Sequence, residues 1–189
     1  MIDIPNMIMV GAGDRNAGKT EFVCSLIRKF GSEHNITGIK VTAINELDNG
    51  CHRGGEDCGV CTKFEGNFRI TEETNDISNN KDTCRMLAAG AKKVFWLRVL
   101  KSHLEEGMAA LLELIGRERV MICESNSLRN VVEPGLFFMV RNDKAAEPKP
   151  SAKEVIEYAD DVVLFDGNQF DIDINSIKFV DGKWKMKTT

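Results

Sequence analysis

The stretch that decides the fold is residues 7–30, which have the sequence MIMVGAGDRNAGKTEFVCSLIRKF. An apolar run enters a glycine-rich loop, and the loop leads into a segment whose apolar positions recur on one helical face. Residues 13–20 match the spacing G-x-x-x-x-G-K-T, in which glycines let successive backbone N–H groups turn toward a phosphate. Lys19 would then reach the β and γ phosphate oxygens, and the Thr20 hydroxyl would ligate Mg²⁺. The sequence therefore predicts a strand–loop–helix unit that binds a nucleotide.

The predicted nucleotide contacts run through this loop into the start of the helix and include one residue of the next strand. They are Gly13, Asp14, Arg15, Asn16, Ala17, Gly18, Lys19, Thr20, Glu21 and Lys40. Lys40 is unusual because it lies inside an apolar strand pattern, where a charge is costly unless it is paired or faces a ligand. The alternative is an edge strand that leaves the lysine in water. Asp14 is also unexpected beside phosphates: it either accepts a hydrogen bond from a substrate amine or a metal-bound water, or points to solvent.

Composition narrows the class of protein. The 189 residues suit one domain with a sizeable core, and 42% hydrophobic with 29% charged residues is typical of a soluble protein. The net charge of −4 argues against a general nucleic-acid binder, which would be basic. Residues 1–6 lack a basic n-region, and no apolar run approaches membrane-spanning length. These features predict a cytoplasmic protein that binds neither nucleic acid nor membrane.

Strand-like and helix-like runs alternate along the chain, which is typical of a parallel sheet covered by helices on both faces. We expect a single three-layer α/β/α domain of the phosphate-loop NTPase class with a mainly parallel sheet. The predicted strands are 7–11, 36–44, 94–99, 120–124, 136–141 and 162–166, and the predicted helices are 19–30, 81–90, 103–115 and 152–159. An aperiodic insertion interrupts the alternation at about 46–80.

The carboxyl-terminal part, about 170–187, departs from this alternation. Asp181-Gly182 stands between two runs of alternating polarity, which is a strong hairpin signal. A two-residue turn there would place Phe179 opposite Trp184 and Ile177 opposite Met186. We expect this hairpin to add an antiparallel edge to the sheet.

A phosphate loop also needs an acidic residue at the end of a neighbouring strand, to hold the Mg²⁺ shell or to prepare the attacking water. Glu124 is the preferred candidate, because its short apolar strand ends in small polar residues. We assign Lys19 and Glu124 as catalytic residues, and Thr20 and Glu124 as the Mg²⁺ site. Asp166 is expected to be structural, and Glu46 is a weaker candidate. Residues 141–144 contain the residue types of a guanine-reading motif in a different order, so both ATP and GTP remain open.

The aperiodic segment carries a group of metal-ligand residues. Cys58 and Cys61 form a C-x-x-C pair, Cys51 supplies a third thiolate, and His52, Asp57 or Cys84 would be a fourth ligand. The spacing predicts Zn²⁺ or an iron–sulfur cluster. A redox dithiol and three unrelated thiols are the alternatives. Cys24 and Cys123 lie in apolar patterns and are expected to be small buried hydrophobic residues.

Several of these motifs together resemble a known family. The loop 16–20, the strand residues 38–40, the helix 81–91 and the strand end at Glu124 resemble molybdopterin-guanine dinucleotide biosynthesis protein B. Asp14, Lys40 and Glu124 also resemble dethiobiotin synthetase, and a Cys-His pair in an inserted loop resembles the metal-delivery GTPases. This chain departs from the first family at Ser125, at residues 43–45 and in its cysteine loop.

The resemblance implies a homodimer that assists maturation or delivery of a metal-containing cofactor, and a client metalloenzyme or cofactor-biosynthesis enzyme as partner. Slow hydrolysis of ATP or GTP with Mg²⁺ is the expected activity. A small-molecule kinase or ligase like dethiobiotin synthetase is the first alternative, with Lys40 and Asp14 orienting the substrate. A nucleotide-dependent binding module with a structural cysteine clasp is the second.

Overall fold

The predicted alternation is realised as an α/β fold built on a mostly parallel sheet. The computed structural model describes residues 1–14, 16–45, 66–74, 81–142 and 147–187. Its strands are β1 Ile2–Ala12, β2 Thr37–Ile44, β3 Phe68–Glu72, β4 Lys93–Leu100, β5 Met121–Glu124, β6 Val132–Asn142, β7 Asp161–Phe165, β8 Ile177–Val180 and β9 Lys183–Met186. Its α-helices are α1 Lys19–Phe30, α2 Asp82–Ala88, α3 Leu104–Ile115 and α4 Pro150–Lys153. Among the described residues, none of these helices is long and apolar enough to cross a membrane.

Seven of the described strands form one sheet in the order β3-β4-β2-β5-β1-β6-β7. All neighbours in it are parallel except β3, which pairs with β4 antiparallel. The short strand β5 therefore lies at the centre, between β1 and β2. Because six strands run the same way, their carboxyl ends meet at one edge, which is where ligands bind in sheets of this kind.

Each face of the sheet carries its own apolar cluster. Alternate residues of β1 divide between them: Met7 and Met9 join a cluster with α3 and α4, whereas Ile8 and Val10 join a cluster with α1 and α2. The same alternation applies to β2 and β5. In β2, for example, Ile39 belongs to the cluster on the α3 side. Helices on both faces agree with a three-layer α/β/α arrangement.

Most predicted elements are confirmed with shifted ends, but the predictions for residues 46–80 and for the helix 152–159 are wrong. No strand was expected in residues 46–80, yet β3 adds to the sheet there, and the pairing of Phe68 with Val99 shows its antiparallel register. The helix predicted over 152–159 instead starts at Pro150, ends at Lys153, and is followed by a 3₁₀ turn. Pro150 suits a first helical position because it lacks an N–H that would have no partner there.

The hairpin has the predicted register, but its position in the fold differs from the predicted sheet edge. Phe179 pairs with Trp184 and Ile177 with Met186, and Asp181 and Gly182 have φ of 52° and 76°, as a turn of the primed type requires. β8 and β9 form a separate two-stranded sheet, so the expected edge position is wrong. The hairpin instead covers the α1 side of the core, where the Trp184 ring lies 4.8 Å from that of Phe30.

Candidate functional site

Two described residues of the loop between β1 and α1, Asn16 and Gly18, have positive φ angles. Gly18 has φ of 83° and Asn16 has φ of 58°, and α1 begins at Lys19. A Cβ atom at Gly18 would lie 2.6 Å from the Phe165 ring at the end of β7. Only glycine fits at this position, because both the positive φ and the close approach exclude a side chain.

The start of this loop is fixed from its two neighbouring strands. On the β5 side, the Asn126 side chain accepts a hydrogen bond from the Ala12 N–H (2.8 Å) and donates one to the Ala12 carbonyl (2.9 Å). On the β6 side, the Gly13 N–H donates to the Val140 carbonyl (2.8 Å). The loop therefore leaves the sheet along a fixed path, and Asn126 is a buried polar residue whose hydrogen bonds are satisfied.

The Thr20 hydroxyl lies between two carboxylates. Its Oγ1 is 2.8 Å from Oε2 of Glu124 and 3.0 Å from Oδ1 of Asp82. A hydroxyl has a single proton, so it donates to one carboxylate at a time. The Thr20 hydroxyl oxygen and one oxygen of each carboxylate therefore lie close together, and the hydroxyl proton is the one proton that they share.

Two lysines approach the same carboxylates. The Lys40 ammonium hydrogen-bonds both Asp82 and Glu124, and Lys19 Nζ lies 3.3 Å from Oε1 of Glu124. Lys40 pairs with Glu124 directly across β2 and β5, and neither side chain belongs to the α3 face. The edge-strand explanation for Lys40 is wrong, because β2 lies between β4 and β5.

The charges of this cluster stabilise each other. Glu124 is 1% exposed, and burial alone would raise its pKa. The charges of Lys19 and Lys40, with hydrogen bonds from Lys40 and Thr20, instead lower the pKa of Glu124 to about 2 from 4.5. Burial likewise favours neutral Lys40, but Glu124 and Asp82 raise its pKa above the ordinary value. At neutral pH Glu124 and Lys40 are therefore both ionised.

A cleft of about 800 Å³ opens onto this cluster at the carboxyl ends of the strands. Most predicted contacts that the structure describes line it: Asp14, Asn16, Ala17, Gly18, Lys19, Thr20, Glu21, Lys40 and Glu124. Gly13 is not among its lining residues. Asp82, Arg85 and Lys149 also line the cleft and were not predicted. The described residues 16–18 of the loop, both lysines and Glu124 therefore line the same cleft.

Some predicted residues have other partners. Asp14 accepts a hydrogen bond from the backbone N–H of Asn142 (3.3 Å), and Glu21 binds Arg85 (2.6 Å) at the cleft wall. Asp166 accepts hydrogen bonds from the N–H groups of Asn168 and Gln169, which fits the structural role expected for it.

The predicted cysteine site lies outside the described residues, except for Cys84. The residues outside are Cys51, His52, Asp57, Cys58 and Cys61. Arg15 and Glu46 also lie outside the described residues. The proposed fourth ligand Cys84 is buried in α2, where burial and the neighbouring Glu73 raise the pKa of its thiol. Cys24 and Cys123 are buried, as predicted.

Asp82 and Asn126 are two of the residues at this site that the sequence alone did not single out. Asp82 is an acidic residue in the first turn of a helix, a place that such residues occupy for the helix dipole alone. Asn126 follows a strand and resembles any polar loop residue. A useful signal for Asp82 was the unexplained charge of Lys40, since a buried lysine needs anionic partners.

The donor set fits a hard divalent cation. Thr20, Asp82 and Glu124 offer oxygen atoms only, which Mg²⁺ prefers. Within the described ranges, no three His, Cys, Asp or Glu side chains are grouped to hold a metal ion. Comparisons of the chain with protein-family models, curated proteins and solved structures found no match.

Proposed function

We propose that this protein binds a Mg²⁺–nucleoside triphosphate at the loop 13–20 and hydrolyses it slowly. The observation that carries the proposal is the convergence of Lys19, Thr20 and Glu124 beside a glycine loop at the carboxyl edge of a parallel sheet. Glu124 is 104 positions from Thr20 in the chain, and a turn that binds nothing would not require the two to meet.

The roles follow from the chemistry of each group. The loop N–H groups and Lys19 would hold the phosphates, with the start of α1 adding its positive dipole. Thr20, Glu124 and Asp82 would hold Mg²⁺ directly or through water, and Mg²⁺ supplies neutralisation of the charge that develops on the phosphates. Glu124, kept ionised by its neighbours, is available to orient a water molecule.

The biological role we propose is assistance in the maturation or delivery of a metal-containing cofactor by a cytoplasmic homodimer. Its support is the resemblance of the loop, the strand residues 38–40 and the helix 81–91 to molybdopterin-guanine dinucleotide biosynthesis protein B. The cysteine pattern at 51–61 adds a metal-ligand set to the same chain. The partner would be a client metalloenzyme or a cofactor-biosynthesis enzyme.

One observation favours a second candidate, a kinase or ligase that acts on a small molecule. Lys40 and Arg85 line the cleft beside the loop, so cationic groups extend past those that a phosphate loop itself provides. An acceptor with an anionic group would find them within the same cleft. Transfer of phosphate to a small acceptor would distinguish this activity from hydrolysis.

Nucleotide titration tests the proposed activity. Fluorescent ATP and GTP analogues are titrated with Mg²⁺ into the wild type, Lys19→Met and Lys29→Met. Lys29 is the matched control, because it lies in the last turn of the same helix and binds the Asn175 side chain. We expect Lys19→Met to raise the dissociation constant by about tenfold to hundredfold, the loss of one charge-assisted contact, and Lys29→Met to leave it unchanged. Equal affinity of all three proteins would overturn the proposal.

Metal analysis of anaerobically purified protein tests the cofactor role. Near-stoichiometric zinc or iron in the wild type, lost in the double variant Cys58→Ser, Cys61→Ser, is expected. The single variant Cys24→Ser is the control, since Cys24 is buried in α1. Metal-free protein in every preparation would remove the cysteine site from the proposal.

A further inference from the structure

We propose that the Lys40 ammonium and a divalent cation are alternative occupants of the Asp82–Glu124 carboxylate pair, so that Lys40 must leave when Mg²⁺ binds. The inference rests on the proposed function for the identity of the cation, and it adds a regulatory step to that site. Lys40 then serves as a tethered cation that keeps the metal-free site assembled.

The arrangement of the oxygen atoms is the first argument. Each carboxylate uses one oxygen for Lys40 and turns the other toward Thr20 Oγ1. The hydroxyl proton serves one of those two oxygens, so the other faces the hydroxyl oxygen at about hydrogen-bond distance without a proton. A cation among the three oxygens would satisfy all of them at once.

The position of Lys40 is the second argument. Its side chain is 14% exposed and comes from an interior strand of the sheet, and both of its carboxylate partners line the same cleft. An ion pair of an exposed lysine at the protein surface would contribute little to the free energy of folding. Here the ammonium compensates the buried Glu124 carboxylate, which would otherwise be costly to keep ionised.

Electrostatic exclusion is the third argument. A divalent cation held by these carboxylates would lie only a few ångströms from the ammonium, and like charges at that separation in a partly buried site repel strongly. Lys19 Nζ, which lies 3.3 Å from Oε1 of Glu124, already adds a second positive charge beside the same carboxylate. Binding of the divalent ion therefore displaces Lys40, which lowers the apparent affinity for the ion.

The experiment compares Mg²⁺ dependence in wild type, Lys40→Met, Lys40→Arg and Lys29→Met. Each protein is titrated with Mg²⁺ at a fixed concentration of one fluorescent nucleotide. This is the ATP or the GTP analogue, whichever the wild type binds more tightly. Lys40→Met should reach half-saturation at about tenfold less Mg²⁺, because no charge-assisted contact has to be broken first. Lys40→Arg keeps the charge and should stay near the wild type, as should Lys29→Met.

A second readout needs no nucleotide. Mg²⁺ alone should raise the melting temperature of Lys40→Met more than that of the wild type, since a ligand that binds the native state stabilises it. Lys40→Gln repeats both measurements if Lys40→Met does not fold. A half-saturating Mg²⁺ concentration in the neutral variants equal to or above that of the wild type would overturn the inference.

The two readouts separate this inference from the proposed function. Absence of nucleotide binding in the wild type, together with Mg²⁺ stabilisation confined to the neutral variants, would remove the nucleotide and keep the cation exchange. Nucleotide binding with the same Mg²⁺ dependence in the wild type and in the neutral variants would keep the proposed function and remove the exchange.

Discussion

The two faces of β2 and β5 differ sharply at the same level of the sheet. Ile39 and Cys123 turn toward α3 and lie in an apolar cluster, whereas the next residues along each strand, Lys40 and Glu124, form a charged cluster at the cleft. A strand alternates its side chains, so consecutive residues can serve different tasks without any change in the backbone. On this sheet the α3 face is apolar at this level, and the edge of the α1 face carries the charged cluster.

Removal of the buried Glu124 carboxylate should have the largest effect on stability among the changes that compare these two faces. Glu124→Gln leaves Lys40 and Lys19 without their common partner, so we expect the free energy of unfolding to fall by about 3–5 kcal/mol at neutral pH. Cys123→Ala, on the opposite face of the same strand, should cost only about 1 kcal/mol. Chemical denaturation of both variants measures the difference, and equal losses would show that the charged cluster is not a cooperative unit.

Acid should reproduce that loss in the wild type. The pKa of Glu124 is lowered in the folded protein, from 4.5 to about 2, so its contribution is complete above pH 4.5 and is lost as the pH falls toward 2. The shift corresponds to about 3 kcal/mol. The stability difference between wild type and Glu124→Gln, followed by denaturation from neutral pH downward, should shrink by that amount. A constant difference would contradict the assigned ionisation.

Asn126→Ala should have a smaller effect. It leaves the Ala12 N–H and carbonyl without their side-chain partner, and we expect a loss of about 2 kcal/mol. Because the loop would lose its anchor to β5, nucleotide affinity should fall as well. Asn130→Ala is the control, since that exposed side chain donates a hydrogen bond to the nearby Ser127 carbonyl, and its effect should stay within about 0.5 kcal/mol. Unchanged affinity in Asn126→Ala would mean that the loop is positioned by β6 alone.

The smallest effect belongs to the apolar face. Ile39→Val removes one methylene beside Lys40 and should cost about 1 kcal/mol, without any change in nucleotide affinity or Mg²⁺ dependence. Denaturation and nucleotide titration of the same preparation measure both quantities. A change in Mg²⁺ dependence would show that the two faces of β2 are coupled.

The sequence predicted those parts of the molecule that depend on local patterns. The glycine spacing and the apolar periodicity located the loop and α1, and the end of a short apolar strand located Glu124. The turn Asp181-Gly182 set the hairpin register, because turn geometry and alternation are both local. The site in the cleft therefore contains the residues that local signals identified.

The parts that the sequence did not predict depend on tertiary contacts. The residues of β3 lie in a polar, aperiodic segment, and they form a strand because β4 offers an open edge. The hairpin covers the α1 side of the sheet because Trp184 contacts the Phe30 ring of α1 and donates to the Asn6 carbonyl of β1, and no pairing rule specifies these partners. The position of Asp82 at the site depends on the packing of α2 beside Lys40, which no local pattern specifies.

The central position of β5 sets an order for assembly during synthesis. The chain completes β1, the loop, α1 and β2 long before residues 121–124 emerge, yet β5 must separate β1 from β2 in the finished sheet. Thr20 and Glu124 are 104 positions apart, so their contact closes a long chain loop and has a high contact order. A nascent chain that ends before β5 carries the glycine loop without Glu124, so the Thr20–Glu124 contact cannot form in the first stages of folding.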